Sequence, residues 1–289
     1  MKSKLSPFLW SGLVMAVSLV VSLYTAARQK VVVEQQGIPS PDVSLPPALL
    51  YFLGSVAIMA LVLFFIPLNR LRLVFRIVFA LMYAWGTLII VWLVWPAQID
   101  IVVYIIAAAA GLAWLFWAKI WLHDLLLLLT LSAVGSIFGF LFSPWTFLIF
   151  MLVIAVYDFL AVRFGFMVWL ADKMSSTTAL PAFIFPREVK DWRLSVHAIN
   201  VGDLAKTERE KREYGILGGG DIAFPLMLAT SVFFSDDMTG AIIVGAFAFV
   251  GLMSAFLIQM IFLKGKPMPA LPPIAAFSLI GLLLVRFLV

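Results

Sequence analysis

The sequence predicts an all-α polytopic membrane protein with nine transmembrane helices, its N-terminus inside and its C-terminus outside. Three observations carry that prediction. Of 289 residues, 64% are hydrophobic and only 12% charged, and the mean hydropathy is +1.11, which excludes a soluble domain. Nine apolar runs reach the roughly 17 residues that a spanning helix needs. The basic residues gather on alternate connections, as the positive-inside rule requires.

The runs lie near residues 7–26, 47–68, 73–95, 99–118, 125–142, 145–170, 214–235, 239–263 and 267–289. The first follows Met1-Lys2-Ser3-Lys4 and is long enough to be a retained helix rather than a cleaved signal. Lys119, His123 and Asp124 divide the fourth run from the fifth, and Ser143-Pro144-Trp145 divides the fifth from the sixth. Pro144 suits a helix start, where a missing N–H costs nothing. The longest polar stretch, residues 171–213, reads as a cytoplasmic loop between six helices in 1–170 and three in 214–289.

With the N-terminus inside, 17 of the 20 Lys and Arg fall on the inner side; Arg28, Lys30 and Arg286 fall outside. The outer turns carry Asp100 and Asp236-Asp237 instead. The net charge of +5 therefore reads as orientation in a lipid bilayer, not as a nucleic-acid footprint. Within the loop, residues 203–213 alternate in charge and read as a solvated approach to the seventh helix. Residues 178–186 (Thr178-Ala179-Leu180-Pro181-Ala182-Phe183-Ile184-Phe185-Pro186) are apolar and β-prone. They read first as a segment resting on lipid, and second as a short strand near a site.

The chemistry lies in two carboxylates. Thirteen of the 15 acidic residues lie in connections or at helix ends; Asp158 and Asp221 do not. An ionisable group inside a span costs about 2.5–3.5 kcal/mol on insertion scales. Asp158 precedes Arg163 by five residues and Asp221 follows Glu213 by eight. At 1.5 Å per residue these are roughly 7–8 Å and roughly 12 Å from the inner surface. Two antiparallel helices would thus bring both carboxylates to similar depth. Two acids close together in a dry place share one proton, so one can act as base and the other as acid. Aspartic proteases use that arrangement on a water and a peptide carbonyl, while a proton-coupled transporter could use it as a relay.

Other protease chemistries fit poorly. The sequence has no cysteine and no H-E-x-x-H, which removes a thiolate nucleophile and a zinc-protease motif, and no metal or other cofactor is expected. Its two histidines, His123 and His197, read as lying in polar connections, so no Ser-His dyad is expected within a span.

Two further stretches stand out. Gly218-Gly219-Gly220 directly precede Asp221, and Gly215 with Gly219 fits the G-x-x-x-G spacing of closely packed helices. Lys264-Gly265-Lys266-Pro267-Met268-Pro269-Ala270-Leu271-Pro272-Pro273 opens the last run, and its four prolines are expected to prevent regular helix there.

Taken together, Tyr157-Asp158, Gly218-Gly219-Gly220-Asp221 and Pro269-Ala270-Leu271 resemble the Y-D, G-x-G-D and P-A-L signatures of the presenilin and signal peptide peptidase family. Their order and placement on three of nine helices extend the resemblance over the whole chain. The N-inside orientation and compact loops are most similar to a microbial, archaeal-type presenilin homologue. The resemblance implies an intramembrane aspartyl protease that cuts transmembrane segments of single-span proteins. Asp158 and Asp221 would be its catalytic pair, and Tyr157, the three glycines, Pro269, Ala270 and Leu271 would shape the site and receive substrate. A substrate made to unwind could pair as a strand with Pro269–Leu271 or with the Ala182–Phe185 stretch. No accessory subunit is implied, and self-association stays open. Two alternatives stay beside this reading: a prepilin-type G-x-G-D peptidase, against which Y-D and P-A-L speak, and a transporter, against which the lack of an inverted repeat speaks.

The charge bias makes a direct prediction in a chain with no native cysteine. A cysteine placed in residues 190–212 should be labelled only from the inner side, and one replacing Asp236 or Asp237 only from the outer side. Membrane-impermeant maleimide labelling of sealed cells and inverted vesicles checks this.

Overall fold

The computed structural model describes residues 6–39, 41, 43–65, 68–95, 100–165, 180–196, 199, 214–262 and 268–288. The elements among these are α1 (Ser6–Gln36), α2 (Leu45–Phe65), α3 (Leu68–Val94), α4 (Asp100–Phe116), α5 (Ile120–Leu141), α6 (Pro144–Arg163), β1 (Ala182–Pro186), a 3₁₀ turn at Val189–Arg193, β2 (Tyr214–Gly218), α7 (Gly219–Ser235), α8 (Met238–Ile261) and α9 (Leu271–Leu288). His197, residues 203–213 and residues 264–267, on which several sequence expectations rest, lie outside the described residues.

Nine α-helices among the described residues match the nine predicted runs in order. Five of them are long and apolar enough to cross a membrane, and the other four hold shorter apolar stretches. Two boundaries follow directly from local chemistry. Ser143 caps α6, its hydroxyl accepting the Thr146 N–H at 3.3 Å with Pro144 at the first helical position. Asp237 caps α8 through the Gly240 N–H at 2.7 Å.

α5 is the central post, packed on α1, α3 and α7, while α6, α8 and α9 pack against α7. One core cluster joins the helices that carry the three motifs: Phe147, Met151 and Ile154 of α6 meet Met227 and Leu228 of α7 and Leu271 and Ala275 of α9. Glycines let these elements touch. A Cβ on Gly251 of α8 would lie 2.7 Å from the Ile274 Cα, and one on Gly135 of α5 would lie 2.9 Å from Leu226.

The structure corrects several expectations. The fold is not purely helical, because β1 and β2 form a two-stranded antiparallel sheet pairing Phe183 with Leu217 and Phe185 with Gly215. Residues 182–186 do not rest on lipid: all five are buried, and Phe183, Ile184 and Phe185 almost completely so. The seventh helix starts at Gly219, not Tyr214, since residues rich in glycine gain little from a helix and here their backbone groups bond to β1. Gly215 and Gly219 therefore do not share a helix face.

α1 runs ten residues beyond the predicted end, because its polar side chains find partners. Arg28 donates to the Leu93 carbonyl at 3.2 Å, Gln29 accepts from Ser136 at 2.5 Å, and Lys30 sits 5.2 Å from the Phe233 ring centre. His123 and Asp124 are not in a connection: they lie in α5 and are buried. A histidine thus lies within a helix long and apolar enough to cross a membrane, contrary to expectation. Pro272 and Pro273 sit in the first turn of α9, where proline gives up no helical bond, so regular helix begins earlier than expected.

Candidate active site

The three motifs meet where the C-terminal part of α6 approaches the N-terminal ends of α7 and α9. Asp158 lies on α6, partly buried, one residue after the half-buried Tyr157. Asp221 lies in the first turn of α7. The two carboxylates are close enough for Asp158 to act electrostatically on Asp221.

Each carboxylate is held at a helix N-terminus. Gly218 is the N-cap of α7, so Asp221 is its third helical residue. From there Asp221 takes a backbone hydrogen bond from Gly218, the return half of a capping box. Asp158 accepts the Leu271 N–H through Oδ2 at 3.3 Å. Leu271 is the first residue of α9, so this N–H has no partner inside its own helix. Helix N-termini carry partial positive charge and favour anions.

The glycines have distinct positions. A Cβ on Gly218 would lie 3.1 Å from Asp221 Oδ2 and crowd the carboxylate. Gly219 continues the sheet into the helix, its N–H donating to the Pro181 carbonyl at 2.8 Å. Gly220 is exposed, and only the Phe224 ring lies near it. Pro269 and Ala270 precede α9 as non-helical backbone, and Leu271 is buried in the shared core.

A cavity of about 80 Å³ opens beside Asp221, between β2, α8 and the start of α9. Ile216, Ala270 and Gln259 help to line it. The sequence reading missed Gln259, although it is the one carboxamide in α8 and that isolation was a usable signal. Of the predicted residues, Asp158 and Leu271 are joined by a hydrogen bond, and Asp221 and Ala270 line one cavity. Asp221 does not follow Glu213 at helical rise, because the five strand residues Tyr214–Gly218 intervene. No group of three metal-ligating side chains occurs among the described residues.

Residues 9–289 match the signal-peptide peptidase, presenilin aspartyl protease family. The chain belongs to that family. It is an intramembrane aspartyl protease, and the prepilin-type and transporter readings are not favoured. Two crystal structures of a presenilin family intramembrane aspartate protease share the fold. One, in space group C222, has a TM-score of 0.59 at 17% identity, with 96% of each chain covered. The other, in space group P2, has a TM-score of 0.58 at 19% identity, covering 94% of this chain and 97% of its own. No curated protein matches the sequence.

The bond from Leu271 to Asp158 gives the protease's prolines a testable role. Pro269 and Pro272 keep helix from extending backward through Leu271. In Pro269→Ala/Pro272→Ala, the Leu271 N–H can enter a helical bond and leave Asp158. Activity should fall about tenfold or more, since small displacements of a catalytic group are costly, with little change in Tm. Activity and Tm measured on one sample check this; unchanged activity with a lowered Tm would make the motif purely structural.

Proposed function

We propose that Asp158 and Asp221 hydrolyse the substrate peptide bond as one acid–base pair. The ionised carboxylate takes a proton from water as the water oxygen attacks the carbonyl carbon. The protonated one donates to the carbonyl oxygen, giving a neutral tetrahedral diol. Collapse breaks the C–N bond, the departing nitrogen receives a proton, and an acid and an amine are released. The observation that carries this reading is the convergence of both carboxylates at helix N-termini beside the Pro269–Leu271 backbone.

The substrate is a transmembrane segment of a single-span protein. Its helix hides its amides in internal bonds, so it must unwind before it can be cut. An extended segment then adds to the sheet. The Ala182–Phe185 stretch, one of two receiving segments offered by the sequence, is not open to it, because one edge pairs with β2 and the other faces α5. β2 has no second strand partner among the described residues, and Ile216 on it lines the cavity beside Asp221. β2 is therefore the receiving edge.

In this reading the chain crosses the cell membrane nine times, N-terminus inside. Residues 1–170 hold the first six spans, 171–213 the cytoplasmic loop and 214–289 the last three. The shorter apolar helices α2, α4, α7 and α9 count as spans because each follows a longer one in chain order. The partners are lipid and substrate; the mechanism calls for neither nucleic acid nor an accessory subunit.

Purified protein and a single-span substrate in detergent test the proposal. Wild type should give defined products by mass spectrometry. Asp158→Asn and Asp221→Asn should each lose about a thousandfold in rate while keeping their Tm. Substantial cleavage by either variant would refute the pair.

A further inference from the structure

Two polar side chains at the start of α5 take no part in the acid–base pair, yet they are buried and aimed at the sheet. His123 Nε2 lies 3.0 Å from the Ala182 carbonyl, and Asp124 Oδ1 accepts the Ile184 N–H at 3.1 Å. His123 is 0% exposed and Asp124 5%. The hydrogen on the imidazole is fixed by its neighbours. Trp114 Nε1 can only donate and reaches Nδ1 at 3.2 Å, with Tyr83 Oη 3.0 Å from the same nitrogen. Nδ1 is thus the acceptor, and Nε2–H donates to Ala182.

In an antiparallel ladder the N–H and C=O of one residue point to the same side, alternating along the strand. Pro181, which accepts from Gly219, sets the phase: Pro181, Phe183 and Phe185 face β2, while Ala182, Ile184 and Pro186 face α5. His123 and Asp124 therefore satisfy one acceptor and one donor, two residues apart, on the outer edge of β1. A neighbouring strand would satisfy those same groups.

We propose that His123 and Asp124 are positioning residues that replace a third strand on β1 and so determine which substrate bond is cut. The proposal rests on the reading that substrate adds to β2. Unpaired strand edges attract other strands; with β1 closed, β2 offers the strand edge left among the described residues. The pair also fixes register. A slip of two residues preserves the faces of a strand but moves it by about 6.6 Å. In one direction that slip would offer Asp124 the nitrogen of Pro186, which has no hydrogen to donate. The fixed β1 sets β2 through the Phe183–Leu217 pair, and β2 runs without a break into Asp221. The substrate peptide bond opposite the two carboxylates is thereby fixed as well.

The test compares product ends by mass spectrometry, with kcat, KM and Tm, for one single-span substrate in detergent. His123→Phe and Asp124→Leu remove the bonds without opening a large hole. They should move or spread the cleavage position to neighbouring bonds and lower kcat about tenfold, with a smaller change in KM. His123→Gln and Asp124→Asn keep a donor and an acceptor in place and should restore the wild-type product ends. Unchanged ends in the Phe and Leu variants overturn the proposal, and so do shifted ends in the Gln and Asn variants. If the Phe and Leu variants do not fold, Ile184→Pro removes the same donor from the strand side, where proline spares the bonds to β2. Moved ends then support the proposal and unchanged ends overturn it. Asp158→Asn serves as the separate control: activity in that variant would refute the acid–base reading, whereas its loss with unchanged ends elsewhere refutes this inference alone.

Discussion

A carboxylate among apolar helices needs donors, and this protein supplies them from the first turns of two helices. The Leu271 N–H at the start of α9 bonds Asp158, and Gly218 at the N-cap of α7 bonds Asp221. Those amides are left without helical partners by the geometry of any α-helix, so the bonds require no additional polar side chain in the membrane. Much else follows. α7 must begin close to Asp221, so the chain before it cannot be helix. α9 must begin at Leu271, so the backbone before it must stay open, which Pro269 helps to maintain.

The sheet solves the problem this creates. Five residues of non-helical backbone lead into α7, and buried backbone without partners is costly. β1 pairs with that stretch, and the side chains of α5 close the far edge of β1. The remaining edge faces the cavity beside Asp221 through Ile216. In the proposed mechanism, the substrate meets a similar difficulty when it unwinds, and the same edge can receive it.

The sequence made much of this legible because membrane helices are written in long apolar runs and intramembrane carboxylates stand out against them. All nine runs appear in order as helices among the described residues, and Asp158, Asp221 and Pro269–Leu271 converge as expected. The misses share a cause. A glycine-rich apolar stretch such as residues 214–218 carries the same hydropathy whether it is strand or helix, so β2 was read as the start of a span. His123 and Asp124 looked like a polar connection because hydropathy cannot see that Trp114, Tyr83 and the β1 backbone would satisfy them. The extension of α1 was hidden likewise, since the partners of Arg28, Gln29 and Lys30 lie on α3, α5 and α7, distant in sequence.

The central claim is that Asp158 and Asp221 form one site that recognises the tetrahedral intermediate. Equilibrium binding of a hydroxyl-containing peptide isostere to purified wild type, Asp158→Asn and Asp221→Asn measures this most directly. The account predicts one site per chain in wild type and a loss of affinity on the order of a hundredfold or more in each variant, because such ligands exploit groups arranged for the transition state. Equal affinity for wild type and either variant, with all three proteins folded, would contradict it.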